Sequence, residues 1–275
     1  MKNKTGFIIK FISASCFASL IASAILPVRL LAGTAIDDLG SVSGESCGLS
    51  GTLPTPDPQA ENAQQLSIFD RPSDRIYYIL PNQVDASQMG PAPAAGSATD
   101  NEDMNVVRRW QAERTDAQCA AANAQSNATY DEFFGAVSPF VNKASGEVEK
   151  ILDKVRTDAG SIVYVQKEQY KRPRPFQRDP ALNPCLGRES GYSYPSGHAT
   201  TARVFGLILS DLVPADSGKF MSYADQAALN RVIGGVHHPS DIEAGKKLGD
   251  AIYKALRQNG NFNRDMATLR KSLKP

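Results

Sequence analysis

The sequence predicts an all-α fold, a compact helical bundle preceded by an irregular N-terminal leader. Three observations predict it. Apolar residues in the second half recur at i, i+3, i+4 and i+7. Capping-box patterns, Ser or Thr followed three residues later by Glu, stand at Thr99/Glu102 and Ser240/Glu243. Alternation of the strand type is nearly absent. With 275 residues, 41% hydrophobic and 21% charged, the composition is that of an ordinary globular protein with enough chain for one good core.

The chain opens with Lys2, Lys4 and Lys10 ahead of an apolar stretch from Phe11 to Leu26, and no acidic residue occurs before Asp37. Residues 1–35 therefore read as a secretory signal peptide, which implies a periplasmic or secreted protein. Cleavage sites follow Ala24 and Ala35, the second fitting better the change to Ile36-Asp-Asp. An uncleaved anchor is opposed by the short apolar core, interrupted at Pro27 and Arg29. Losing residues 1–35 removes four of the 30 basic residues and none of the 29 acidic ones, so the mature chain carries about −3. That balance, with no basic run, gives no footprint for nucleic acid. Later apolar runs such as Val204 to Leu209 are far too short for a membrane span, so no membrane partner is expected of the mature form.

Residues 36–98 form a leader rich in Pro, Gly and Ala, as in Pro54-Thr-Pro-Asp-Pro58 and Gly90-Pro-Ala-Pro-Ala-Ala-Gly96. It is expected to lie over the domain surface, with only Arg75 to Leu80 apolar enough to be anchored. The helical domain, 99–275, starts at the Thr99 box and runs as one helix through Trp110 to about Ala122. Val148, Ile151, Leu152, Val155, Ile162 and Val163 mark a second helix, which must stop before Pro173 and Pro175. A third begins at Ser196 and passes Val204, Leu207, Ile208 and Leu212; a fourth covers about Lys219 to Ile233, with Gly234-Gly235 as its C-cap. A fifth starts at Ser240 and continues through Ile252 and Leu256. Cys47, Cys119 and Cys185 remain after export; all three pairings stay open, with Cys185 the residue most expected in a bridge, and their spacing makes a poor zinc pattern.

Three segments carry candidate chemistry. In Pro195-Ser196-Gly197-His198, Ser196 is a natural N-cap, Gly197 lets a ligand approach the first turn, and a helix N-terminus suits an anion. In Arg231 to Asp241, His237 lies in a loop and Asp241 opens the next helix, where its carboxylate can take the imidazole Nδ1–H and leave Nε2 its lone pair. In Lys167 to Pro175, cations cluster where a helix ends, and Pro173 and Pro175 stiffen the backbone around Arg174, whose planar guanidinium suits two phosphate oxygens. Each segment alone has a plain structural explanation as a cap, a dipole partner or a solvated basic face. The chain's three histidines, His198, His237 and His238, all fall in these segments.

Together the segments resemble the type 2 phosphatidic acid phosphatase (PAP2) superfamily, which includes vanadium haloperoxidases, and within it the class A bacterial nonspecific acid phosphatases. The family pattern Lys-x6-Arg-Pro, Pro-Ser-Gly-His, Ser-Arg-x5-His-x3-Asp is met by Lys167, Arg174-Pro175, Pro195 to His198, Arg231, His237 and Asp241; Asn230 stands where Ser is usual. The resemblance covers about residues 145–258 and implies a metal-independent, cofactor-free hydrolysis of small phosphate monoesters with broad specificity. It assigns His237 as nucleophile forming a phosphohistidine, Asp241 as its orienting group and His198 as acid and base. Phosphate binding falls to Lys167, Arg174, Arg231, Ser196 and the Gly197 N–H, and a homo-oligomer is consistent with the family. Histidines in opposite protonation states imply a bell-shaped profile on the acid side of neutrality. Loop 176–194, with Tyr192 and Tyr194, is expected at the entrance, and His238 to line the pocket or reach the surface. The alternatives are a vanadate-dependent haloperoxidase using the same oxyanion pocket, a membrane lipid-phosphate phosphatase, for which the spans are missing, and a catalytically silent binding protein.

Overall fold

The computed structural model describes residues 68–71, 73–141 and 146–275. The expected signal peptide, Cys47 and most of the leader lie outside the described residues. Helices dominate: α1 (Ala98–Glu113), α2 (Asp116–Asn123), α3 (Tyr130–Phe134), α4 (Gly146–Tyr170), α5 (Pro175–Arg178), α6 (Gly197–Leu212), α7 (Ser217–Ile233), α8 (Pro239–Leu256) and α9 (Gly260–Lys271). Among the described residues there is no strand, only an isolated bridge between Phe140 and Leu273. No described helix is long and apolar enough to cross a membrane.

Helix α6 is the central element, packed most extensively against α7 and α8. Its Val204, Phe205, Ile208 and Leu209 are buried with Val148, Ile151, Leu152, Val155, Ile162 and Val163 of α4, so the apolar stripe that marks α4 in the sequence is its core face. A second, smaller cluster joins Met104 and Val107 of α1 to Ala199, Val232 and Ile242.

Helix boundaries differ from expectation in instructive ways. The expected helix from Thr99 to Ala122 is two helices, because Arg114 is extended and Thr115 and Gln118 form a capping box that starts α2. At α1 the N-cap is Ser97, not Thr99, its Oγ accepting from the Asp100 N–H. At α8 the cap is His238 rather than Ser240: Pro239 takes the first helical position, and the Asp241 carboxylate accepts the His238 N–H at 2.7 Å. Gly234 ends α7 and Gly235 takes φ +80°, a left-handed conformation glycine adopts without Cβ strain. The short α3 and the C-terminal α9 were not anticipated.

Most of the described part of the leader is exposed or half-buried, and it is anchored at a few points, two of them inside Arg75–Leu80. Tyr78, Ile79 and Met89 join the core, and the Asp158 carboxylate of α4 accepts the N–H groups of Tyr77, Tyr78 and Ile79 at 2.7–3.1 Å. Phe69 is buried as well. Cys119 and Cys185 form the disulfide, tying α2 to the loop after α5. Tyr194 is buried rather than at an entrance, its hydroxyl donating to the Gly90 carbonyl at 2.9 Å.

Candidate active site

The ends of α4, α6, α7 and α8 bring three cations and two histidines into one buried cluster. Lys167, in the last turn of α4, sends Nζ to Asp70 Oδ1 (2.9 Å) and to the Tyr192 carbonyl (2.5 Å). Burial pushes its ammonium down to about 8, Arg174 adding to the effect while Asp70 and Glu189 oppose it. Arg174, held between Pro173 and Pro175, is fully buried; Nε donates to the Gly191 carbonyl (2.9 Å), Nη1 to that of Val236 (3.0 Å). Arg231 comes from the last turn of α7. The Glu189 carboxylate links both guanidinium groups, at 2.5 Å from Arg174 Nη2 and 2.6 Å from Arg231 Nη2.

His237 Nε2 lies 3.3 Å from Arg174 Nη1, and its Nδ1 is 3.4 Å from both Asp241 Oδ2 and Ser193 Oγ. Arg174 can only donate, so in the neutral ring Nε2 carries the lone pair and Nδ1 the proton. Burial holds the imidazole at about 3, against the opposing hydrogen bond to Asp241. His198 sits in the first turn of α6, whose N-cap Ser196 is itself buried, Oγ accepting from the Ala199 N–H. His198 Nε2 is 3.1 and 3.2 Å from the carbonyls of Gln125 and Ser126. Carbonyls only accept, so Nε2 carries the proton and Nδ1, with no hydrogen bond among the described residues, is the nitrogen available to a reacting oxygen. Burial, then Arg231, hold His198 well below the ordinary histidine range, with Glu189 acting the other way.

Asp241 lies at the junction of all these parts. Arg172 Nη1 holds Oδ1 at 2.7 Å, and Arg172 itself bridges Asp100 and Asp103 of α1, each at 2.8 Å. Oδ2 accepts from the His238 N–H, His238 Nδ1 (2.9 Å) and Ser193 Oγ (2.5 Å). Burial would raise the Asp241 carboxyl, yet His238, His237 and Arg172 outweigh it and keep it well below the carboxylate range. The Ser196 N–H donates to the Asp241 carbonyl, which fixes the start of α6 to the start of α8.

All eight residues singled out in the sequence thus lie in or beside one cluster, and the structure adds others. His238 is fully buried, its Nε2 3.1 Å from Arg178 Nη1, so it belongs to the ion network rather than to the surface. Arg172 stood in the basic stretch without being distinguished from its neighbours. Asp70 and Phe69 enter from the leader. The Phe69 ring covers Gly197, whose Cβ would fall 2.2 Å from the ring, and lies 5.4 Å from the His198 ring. The close approach that Gly197 permits is therefore that of Phe69. Asn230, replacing the usual Ser, donates to Gln125 Oε1 and accepts from Gln226, both at 2.8 Å, so it braces the residue whose carbonyl meets His198.

Residues 157–264 match the family described as the PAP2 superfamily. Over that span the chain is similar to the PAP2 superfamily. Its cations, both clustered histidines and Asp241 all fall within the matched span, whereas Phe69, Asp70 and Gln125 lie outside it. A non-specific acid phosphatase from Providencia stuartii is 29% identical over 209 residues, covering 70% of this chain and 82% of that one. An acid phosphatase from Zymomonas mobilis subsp. mobilis is 24% identical over 237 residues, covering 82% and 84%. A solved bacterial vanadium-dependent iodoperoxidase shares the PAP2 fold with a TM-score of 0.50 at 17% identity, over 69% of this chain and 59% of that protein.

Proposed function

We propose that the chain is an acid phosphatase that hydrolyses phosphate monoesters of broad structure through a phosphohistidine at His237. The observation that carries this reading is the His237 ring, with Nε2 beside the buried Arg174 and Nδ1 turned toward Asp241. Lys167, Arg174 and Arg231 hold the phosphoryl oxygens and stabilise their charge in the transition state, with the first-turn donors at Ser196 and Gly197 assisting. His237 Nε2 attacks phosphorus in line with the ester oxygen; the P–O bond breaks and the departing oxygen takes a proton from His198 Nδ1. Water then attacks the phosphohistidine, giving its proton back to His198 as phosphate leaves.

Both imidazoles are held low in this arrangement, so His198 must gain its proton together with the substrate. A bound phosphoryl dianion raises His198 in the direction that Glu189 already does. The acid limb of the rate profile accordingly lies at low pH. The signal-peptide pattern of residues 1–35 supports export to the periplasm or outside the cell, and a homo-oligomer is consistent with this reading.

The test is turnover of p-nitrophenyl phosphate in EDTA by the wild type and His237→Ala, with protein quenched in alkaline detergent assayed for base-stable, acid-labile phosphate. Turnover and phosphoenzyme in the wild type, both lost in the variant, are expected. Full activity in His237→Ala would overturn the mechanism, and bromide oxidation with vanadate and peroxide in place of hydrolysis would favour the haloperoxidase alternative.

A further inference from the structure

Glu189 has no part in the reaction described above, yet it holds two of the three cations that serve it. Its carboxylate bridges Arg174 and Arg231 at 2.5 and 2.6 Å, with the side chain 14% exposed and both guanidinium groups at most 2% exposed. The fit is incomplete. Arg231 Nε and Nη1 make no hydrogen bond among the described residues, and Arg174 Nη2, though paired in charge with Glu189, makes none of acceptable geometry. A planar carboxylate supplies two oxygens; a phosphoryl group supplies three, arranged tetrahedrally, and suits the remaining donors better. Arg174 Nη2 already faces two carboxylates, Glu189 at 2.5 Å and Asp70 at 3.8 Å, and a third anion on the same guanidinium would be repelled strongly, so an arriving phosphoryl group must displace Glu189, the nearer of the two.

Charge points the same way. Lys167, Arg174 and Arg231 carry three positive charges, against which Asp70 and Glu189 place two negative ones. With Glu189 moved out and Asp70 kept on Lys167, the cluster is left with two positive charges, the match for a phosphate dianion. The chain allows the movement. Cys185 is fixed by the disulfide and by its N–H to the Gly234 carbonyl, and the Gly191 and Tyr192 carbonyls are held by Arg174 and Lys167. Glu189 lies on the short span between these anchors, with Gly187 and Gly191 on either side.

We propose that Glu189 is an internal competitor for the oxyanion cradle, seated on Arg174 and Arg231 until a tetrahedral dianion expels it. It thereby sets the affinity threshold that an anion must exceed and selects phosphoryl groups over carboxylates. The proposal rests on the phosphatase reading. Where the seated form is about nine-tenths of the population, removing the competitor tightens phosphate about tenfold.

The experiment is calorimetric titration of inorganic phosphate into wild type and Glu189→Gln, alongside p-nitrophenyl phosphate turnover by the same wild-type preparation. A dissociation constant about tenfold lower in Glu189→Gln supports the proposal. An equal or weaker affinity in the variant, with wild-type turnover intact, overturns the competition and leaves the phosphatase reading standing. No phosphate binding and no turnover in the wild type overturn both. A crystal structure of the wild type soaked in phosphate does not depend on the variant's folding: Glu189 turned away from both arginines is expected, and Glu189 retained on them beside bound phosphate overturns the proposal.

Discussion

Breaking the Cys119–Cys185 bridge is the perturbation whose cost the structure fixes most directly. The two cysteines are 66 residues apart in sequence, so the disulfide closes a long loop in the unfolded chain. Loop-closure entropy for that span corresponds to about 4 kcal/mol at 25 °C, an upper figure, because residual structure in the unfolded chain reduces it. The folded state has its own stake. Asn123 Nδ2 at the end of α2 donates to the Cys185 carbonyl (3.0 Å), and the Cys185 N–H donates to that of Gly234 (3.1 Å), just before the loop bearing His237. These hydrogen bonds survive a Cys→Ala change, so the native site should persist while the denatured chain gains freedom. Urea unfolding of the Cys119→Ala/Cys185→Ala double variant should show a loss of about 3–4 kcal/mol, with KM for p-nitrophenyl phosphate within about twofold of wild type. A loss below about 1 kcal/mol would refute the entropic account, and a large rise in KM would show that the bridge acts on the site itself.

Gly197→Ala should destabilise the protein by about 3 kcal/mol and lower activity, because its Cβ would meet the Phe69 ring at 2.2–2.5 Å and must displace either that ring or the helix start that carries His198; an unchanged melting temperature would contradict this packing. Acid should weaken the fold. His237 falls from 6.5 to about 3 on folding, so the unfolded chain takes the proton first, and the stability present above about pH 6.5 declines as pH drops toward 3. Asp241, held low, adds loss of the same sign at lower pH. Between pH 7 and 5 the His237 share is about 2 kcal/mol, and urea midpoints for His237→Asn should show a correspondingly flatter pH dependence; parallel curves would refute it. Asn230→Ser should cost no more than about tenfold in kcat, or about 1.4 kcal/mol, and should move the His198 limb of the pH profile while sparing KM; a change in KM alone would place Asn230 on the phosphate instead.

What the sequence reveals here depends on range. The α4 face and the start of α6 are legible because their determinants are local: apolar residues one turn apart, and a serine whose oxygen caps the helix it precedes. The α1–α2 break was local too, in the Thr115/Gln118 box, but a continuous run of helix-forming residues masked it. The start of α8 slipped by two residues because Ser240 and Glu243 satisfy the same box pattern as His238 and Asp241. Pro239 and the buried donors on Asp241 decide between them, and two of those donors, Arg172 and Ser193, are tertiary. Asp70 and Glu189 carry no local mark. Asp70 meets Lys167 across 97 residues and Glu189 meets Arg231 across 42, so only the packed chain distinguishes them from any solvated acid.

These long-range contacts tie together two groups that the sequence pattern leaves separate. In the proposed reaction Arg174 is a phosphate-binding cation, and in the structure it is also the donor facing His237 Nε2, while Glu189 pairs with the same guanidinium through Nη2. A donor directed at Nε2 lowers its reactivity, because the lone pair that must attack phosphorus is engaged. An arriving phosphoryl group offers Arg174 stronger, charged acceptors than an imidazole. Once Nη1 turns to those oxygens, Nε2 is free to attack while Nδ1 remains on Asp241. Arg174 would then couple anion binding to release of the nucleophile. On this reasoning Arg174→Lys, which keeps the charge but loses the fork that reaches phosphate and Nε2 together, should depress kcat more than KM. Equal effects on both would mean that Arg174 only binds.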